Sequence, residues 1–285
     1  MDNESEIFEQ TLESFPDHRR LLRQAVHRFR DDNRVVGLLL GGSLANDNLS
    51  IDRYSDIDLY IVVHDESFDA VLDDRRSIAE SVGAPLFQYV PDHLPNGDRQ
   101  YGALYEKLVK FDFVYRRASV LSPEWKWARC RILDDTAGFL AELVSKSQDC
   151  SLEAPSAERL RRLNQKSWTW CWDICGFIER GELWTAVGSV HSLRSTFLLP
   201  LLAWATETPA YGYRRLESKM DQKFANRLES TLAQRRPEDL YTALQSEIEL
   251  YDELRDDVFS RYDVPYDPEA EAVVRAEIRG HRTDE

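Results

Sequence analysis

Asp56 and Asp58 stand two apart in an otherwise apolar run, and a Gly-Gly-Ser turn, Gly41-Gly42-Ser43, precedes them across residues 44–55. Ile57, Leu59 and Ile61 alternate with Asp56, Asp58 and Tyr60, the period of a strand, so both carboxylates leave one face about 7 Å apart at Cα. Unpaired, such acids repel; together they suit one or two hard divalent cations that prefer oxygen donors. Aspartate is depleted in strands, so two within one apolar segment call for a chemical reason. The glycines leave the backbone free to take positive φ and approach a ligand, and Ser43 adds a hydroxyl beside exposed N–H groups. The cradle and the acid pair together fit a metal-bound triphosphate. A solvated polar edge strand is the plainer alternative, and the Gly-Gly-Ser at this distance outweighs it.

The elements that must hold these groups are legible in the spacing. Leu12, Phe15, Leu21, Leu22, Val26 and Phe29 predict an entry helix over 7–30, and Val35–Leu40 a buried strand running into the glycine turn. A polar loop, 46–55, leads to a strand at Ile57–Val63. A helix follows over Phe68–Val82, ending near Gly83, then a short strand at Pro85–Val90, a loop over 91–102 and a strand at Leu108–Tyr115. The first half therefore reads as a small mixed sheet backed by helices, and the fold class as α+β.

Gly-Gly-Ser, a short spacer and Asp-x-Asp between apolar residues resemble the signature of the nucleotidyltransferase superfamily that includes DNA polymerase beta and the antibiotic nucleotidyltransferases. The resemblance implies a third aspartate on a neighbouring strand. Its match is Asp112 in Lys110-Phe111-Asp112-Phe113-Val114-Tyr115, where Phe111, Phe113 and Tyr115 share one face and Asp112 takes the other. The family reaction implied is transfer of a nucleoside monophosphate, expected to be AMP, from an NTP to a hydroxyl of a small-molecule acceptor, with pyrophosphate released. Asp56, Asp58 and Asp112 are then the catalytic metal ligands for two Mg2+ ions, and Gly41, Gly42 and Ser43 the nucleotide cradle.

After Cys150 strands give way to helical spacing, over 158–180, 182–202, 214–232 and 237–259, with Pro200 expected to limit the second of these. The expected domains are 1–150, a helical bundle over 151–262, and a charged tail over 263–285 with one short helix. The order of sheet domain and bundle is similar to kanamycin and lincosamide nucleotidyltransferases, with Arg180-Gly181-Glu182-Leu183-Trp184-Thr185-Ala186 and Leu193-Arg194 carrying that likeness. It implies an aminoglycoside- or lincosamide-like acceptor and a possible homodimer. Lys166 and Arg194 are cations at helical positions that could reach the triphosphate or the leaving pyrophosphate, and His191 falls close to Arg194. Trp168, Trp172 and Cys175 fall on one helix face, which reads as core rather than as a base-stacking platform.

With 36 Lys and Arg against 51 Asp and Glu, the formal charge is -15, which opposes binding to nucleic acid or anionic lipid. Arginine outnumbers lysine and acids run along the whole chain, a composition shared by salt-adapted proteins and ordinary acidic enzymes. No apolar run has the roughly twenty residues that span a bilayer, and the acidic start, Met1-Asp2-Asn3-Glu4-Ser5-Glu6, is unlike a signal region; a cytoplasmic location is expected. Cys130, Cys150, Cys171 and Cys175 form no Cys-x-x-Cys pair and read as reduced structural thiols. Two further readings stay open at this stage: AMP transfer to a protein, and a non-catalytic nucleotide-binding role. The second is opposed by the presence of all three carboxylates.

Overall fold

The computed structural model describes residues 13–45, 51–91, 99–151, 153–208, 212–218 and 220–280. It divides into two compact units, Met1–Ser151 and Leu152–Glu285.

In the first unit six strands form one mixed sheet in the order β3-β4-β5-β2-β1-β6. They are β1 (Val35–Gly41), β2 (Ile57–Val63), β3 (Pro85–Tyr89), β4 (Arg99–Tyr105), β5 (Lys110–Arg117) and β6 (Arg131–Asp134). β2 and β5 run parallel at the centre, and the remaining pairs are antiparallel. Helices α1 (Pro16–Arg30) and α2 (Phe68–Val82) cover one face. There Leu21, Leu22, Phe29, Val71, Ile78 and Val82 meet Leu38, Leu40, Ile57, Leu59, Ile61, Phe111, Phe113 and Tyr115. Phe111 and Phe113 stack with centroids 4.2 Å apart, and each fully buried side chain of this size stabilises the sheet by about 1.5–3 kcal/mol. The opposite face carries Val36, Leu39 and Val62 under Trp127 and under Leu140 and Leu143 of α3 (Leu140–Ser147).

Two strands depart from the sequence expectation. β4 begins at Arg99, inside the expected loop 91–102, and completes the ladder with β5; the rest of that loop, 92–98, lies outside the described residues, as do 46–50 of the first loop and the start of the entry helix. β6 has only four residues, too few to display a period, and is recruited by β1.

The second unit is helical: α4 (Ala157–Glu179), α5 (Leu183–Leu193), α6 (Leu199–Ala205), α7 (Gln222–Glu229), α8 (Pro237–Arg261) and α9 (Pro268–Gly280). Ser156 caps α4 by accepting from the Arg159 N–H at 3.1 Å, worth about 1 kcal/mol. Gly181, at φ +71, turns the chain into α5, with its N–H donating to Ile178 O and that of Glu182 to Phe177 O. Pro200 does not limit this segment. A π turn at Arg194–Leu198 joins α5 to α6, and Pro200 falls on the first turn of α6, directly after the π turn. The expected helix over 214–232 contracts to α7, because Asp221 accepts from the Phe224 N–H at 2.7 Å and starts a fresh helix. The C-terminal segment is not a charged periphery. Val264 and Ile278 enter the bundle core, and the buried Glu271 accepts from Asn164 Nδ2 at 2.7 Å and pairs with Arg255.

Candidate active site

The sheet places the acids by register. Asp58 in β2 lies opposite Gly41 of β1 on one side and opposite Asp112 of β5 on the other. Because the side chains alternate, the face that buries Phe111, Phe113 and Tyr115 sends Asp112 the other way, beside Asp58. Asp56 immediately precedes β2. Its neighbour Ser55 closes a turn on Asp52, the Ser55 N–H reaching Asp52 O at 3.1 Å. The Ser55 carbonyl accepts from Nε2 of the buried His18 in α1 at 2.8 Å, so α1 fixes where the chain enters the strand. Among the described residues Asp56, Asp58 and Asp112 each offer a carboxylate oxygen, and the three lie within 4.8 Å of one another.

The glycine turn closes over this group. Gly42 sits at φ +67, and a Cβ there would lie 2.2 Å from Asp58 Oδ2. A Cβ at Gly41 would lie 2.8 Å from the Tyr60 ring, which stands edge-on to the buried Trp127 with centroids 5.0 Å apart. Gly41 is therefore fitted by close approach to the Tyr60 ring, and Gly42 is required by its conformation and abuts the Asp58 carboxylate. Ser43 is buried beside them.

Lys110, which the motif reading passed over, stands among the acids. Its Nζ is 3.4 Å from Asp56 Oδ2 and in hydrogen-bond contact with Asp112 Oδ2. Burial pulls the ammonium down, and the hydrogen bond and charge of Asp112, with Asp56 behind it, more than offset that and leave it above its usual value. A signal existed: Lys110 is two residues from Asp112, hence on the same strand face.

The donor set is all oxygen, and Asp112 Oδ1 is buried without a hydrogen-bond partner. Those two features fit a hard divalent cation such as Mg2+. On the same sheet face, Lys126 and Arg116 flank Trp127, and burial lowers both cations, Arg116 adding to the effect on Lys126. Burial pushes the Cys130 thiol up to about 12, which leaves it no nucleophile at neutral pH.

The bundle residues singled out from sequence belong to the second unit. Arg194 is buried, its Nε donating to Thr231 Oγ1 at 2.6 Å and its other nitrogens to Thr231 O and Tyr213 Oη, so that it braces the π turn against Thr231 and Tyr213. His191 stacks on Tyr213. Lys166 is exposed, above the Trp170 ring. Trp168 and Cys175 are core residues as the helix pattern predicts, whereas Trp172 is half exposed.

The profile of the streptomycin adenylyltransferase family matches residues 18–279, spanning both units and all of the groups above. The chain belongs to that family. It is accordingly a nucleotidyltransferase. Among solved structures, an aminoglycoside 6-adenyltransferase from Bacillus subtilis aligns with a TM-score of 0.46 and 14% sequence identity, over 92% of this chain and 95% of that one. A comparison with curated proteins returns no match. Among the described residues no helix is long and apolar enough to cross a membrane.

Proposed function

We propose that this adenylyltransferase-family chain moves AMP from ATP to a hydroxyl of an aminoglycoside-like acceptor, releasing pyrophosphate and a proton. The observation that carries the reading is the register pairing of Asp58 with Asp112 beside Asp56, under the left-handed Gly42 turn. Asp56, Asp58 and Asp112 would hold Mg2+, which when bound neutralises triphosphate charge and favours in-line displacement at the α-phosphorus. Gly41, Gly42 and Ser43 orient the triphosphate through backbone N–H groups and the serine hydroxyl. The acceptor oxygen attacks the α-phosphorus, the bond to the bridging oxygen of pyrophosphate breaks, and a carboxylate of the trio takes the hydroxyl proton. Arg194 takes the bracing role described above. The net charge of -15 favours a polycationic acceptor over nucleic acid.

The test is transfer of label from [α-32P]ATP to streptomycin and to related aminocyclitols, in Mg2+, by the wild-type protein and by Asp58→Asn. Label should enter the small molecule, fall by about 10³-fold or more in the variant, and leave thermal unfolding of the variant unchanged or raised. Full activity in Asp58→Asn, or label in protein alone, would overturn the proposal.

A further inference from the structure

Three carboxylates whose donor oxygens lie within 4.8 Å make a concentrated negative charge, with Asp112 7% and Asp56 18% exposed at the side chain. Negative charges at that spacing repel one another and drive the three side chains apart unless a cation stands among them. Lys110 meets this need. It reaches two of the three acids, and it reaches them from β5 itself, on the face that carries Asp112.

Its geometry differs from that of the buried ion pair in the second unit. Arg255, buried with Glu271, also pairs with Asp252 and Asp256, and its side chain is only 4% exposed. The Lys110 side chain is 39% exposed, and its four-carbon stem can carry the ammonium into solvent without disturbing the strand. An ammonium in contact with Asp112 Oδ2 and near Asp56 Oδ2 lies where the donors of a divalent cation converge. Two such positive charges repel strongly at that range.

We propose that Lys110 is a tethered counter-cation of the aspartate trio: it keeps the three donors converged and yields its place to a divalent ion. The proposal rests on the reading of the trio as a metal site. Its consequence is a site that is assembled in advance yet binds a free ion weakly, so that the metal is gained chiefly as the metal complex of the nucleotide, whose phosphates add donors. Lys110 is thus a positioning residue for the acids.

The experiment is calorimetric titration of Mn2+ into the full-length protein, with thermal unfolding in chelator and in excess Mn2+, for wild type, Lys110→Met, Lys110→Arg and Asp58→Asn. Methionine keeps the length of the stem and removes the charge. Lys110→Met should bind Mn2+ about tenfold more tightly or better, unfold at lower temperature than wild type in chelator, and recover in Mn2+; Lys110→Arg should remain close to wild type in Mn2+ affinity. Unchanged or weaker Mn2+ binding by Lys110→Met overturns the proposal, as does a loss of stability that Mn2+ does not restore, which marks an ordinary structural brace. Absence of Mn2+ binding in wild type and Lys110→Met alike, indistinguishable from Asp58→Asn, overturns the metal-site reading itself.

Discussion

Replacing Gly42 by alanine separates the cost of a strained backbone from the cost of a displaced carboxylate. At φ +67 an L-residue pays about 1–2 kcal/mol for the left-handed conformation. From a starting stability of only about 5 kcal/mol, a loss of 2 leaves less than about 1% of molecules unfolded, so unfolding has almost no effect on turnover. The added Cβ would stand 2.2 Å from Asp58 Oδ2, more than about 1 Å short of an ordinary contact, and the side chain that can give way is that of Asp58. A displacement of about 1 Å at a positioned group costs on the order of 100-fold in rate, or about 2.7 kcal/mol of transition-state stabilisation. Urea unfolding and kcat for AMP transfer, measured on the same preparation, give the two numbers. The expected outcome is a modest shift of midpoint at constant m-value with a hundredfold loss of kcat. An activity within about threefold of wild type would refute the claim that this turn is fitted against Asp58.

Two further predictions concern the second unit. Glu247 in α8 is buried with neither oxygen hydrogen-bonded, and burial holds its carboxyl far above the usual range, the Arg194 charge opposing only in part. The folded state thus keeps a proton that the unfolded chain releases above about pH 4.5, so stability falls as pH rises from there, by up to about 1.4 kcal/mol per unit until the folded pKa is passed. Glu247→Gln should raise the unfolding temperature at pH 8 and give a shrinking gain toward pH 4.5; a gain independent of pH would contradict this. Glu271→Ala should cost about 1–3 kcal/mol, less than an isolated buried charge would because Asp252 and Asp256 still face Arg255, read by urea unfolding, whereas Arg255→Met/Glu271→Leu should recover most of that; equal losses in both would show that packing of α9, not charge, dominates.

The central strands were readable because their alternation is clean: Ile57, Leu59 and Ile61 enter the core while Asp58 does not, and the same rule places Asp112. What the sequence concealed had physical causes. β4 begins with Arg99-Gln100-Tyr101-Gly102, just after Asn96-Gly97-Asp98, and turn chemistry hides a strand held by its partner β5. Pro200 reads as a helix end unless the π turn before it is known. In α9 the inward position Glu271 is charged and buried against Arg255 and Asn164, so hydrophobic spacing understates how much of the helix is covered. Cations were the least legible residues of all: Arg194 and Lys110 are equally plausible as phosphate contacts in one dimension, and only their neighbours, Thr231 in one case and two aspartates in the other, separate them.

The pairing of Asp58 with Asp112 across two parallel strands also bears on how such a protein can diverge. A single-residue deletion within β5 ahead of Asp112 turns the strand over, sending the carboxylate toward the Phe113 side and a phenylalanine into the place of the acid beside Asp58. Core and chemistry fail in the same event, so no sequence with a sound interior and a shifted acid lies along that path. Descendants are free to lengthen or shorten elsewhere, but in β2 and β5 they can change only by substitution. New acceptors must then be reached through residues outside the trio, with the machinery for the phosphate held fixed.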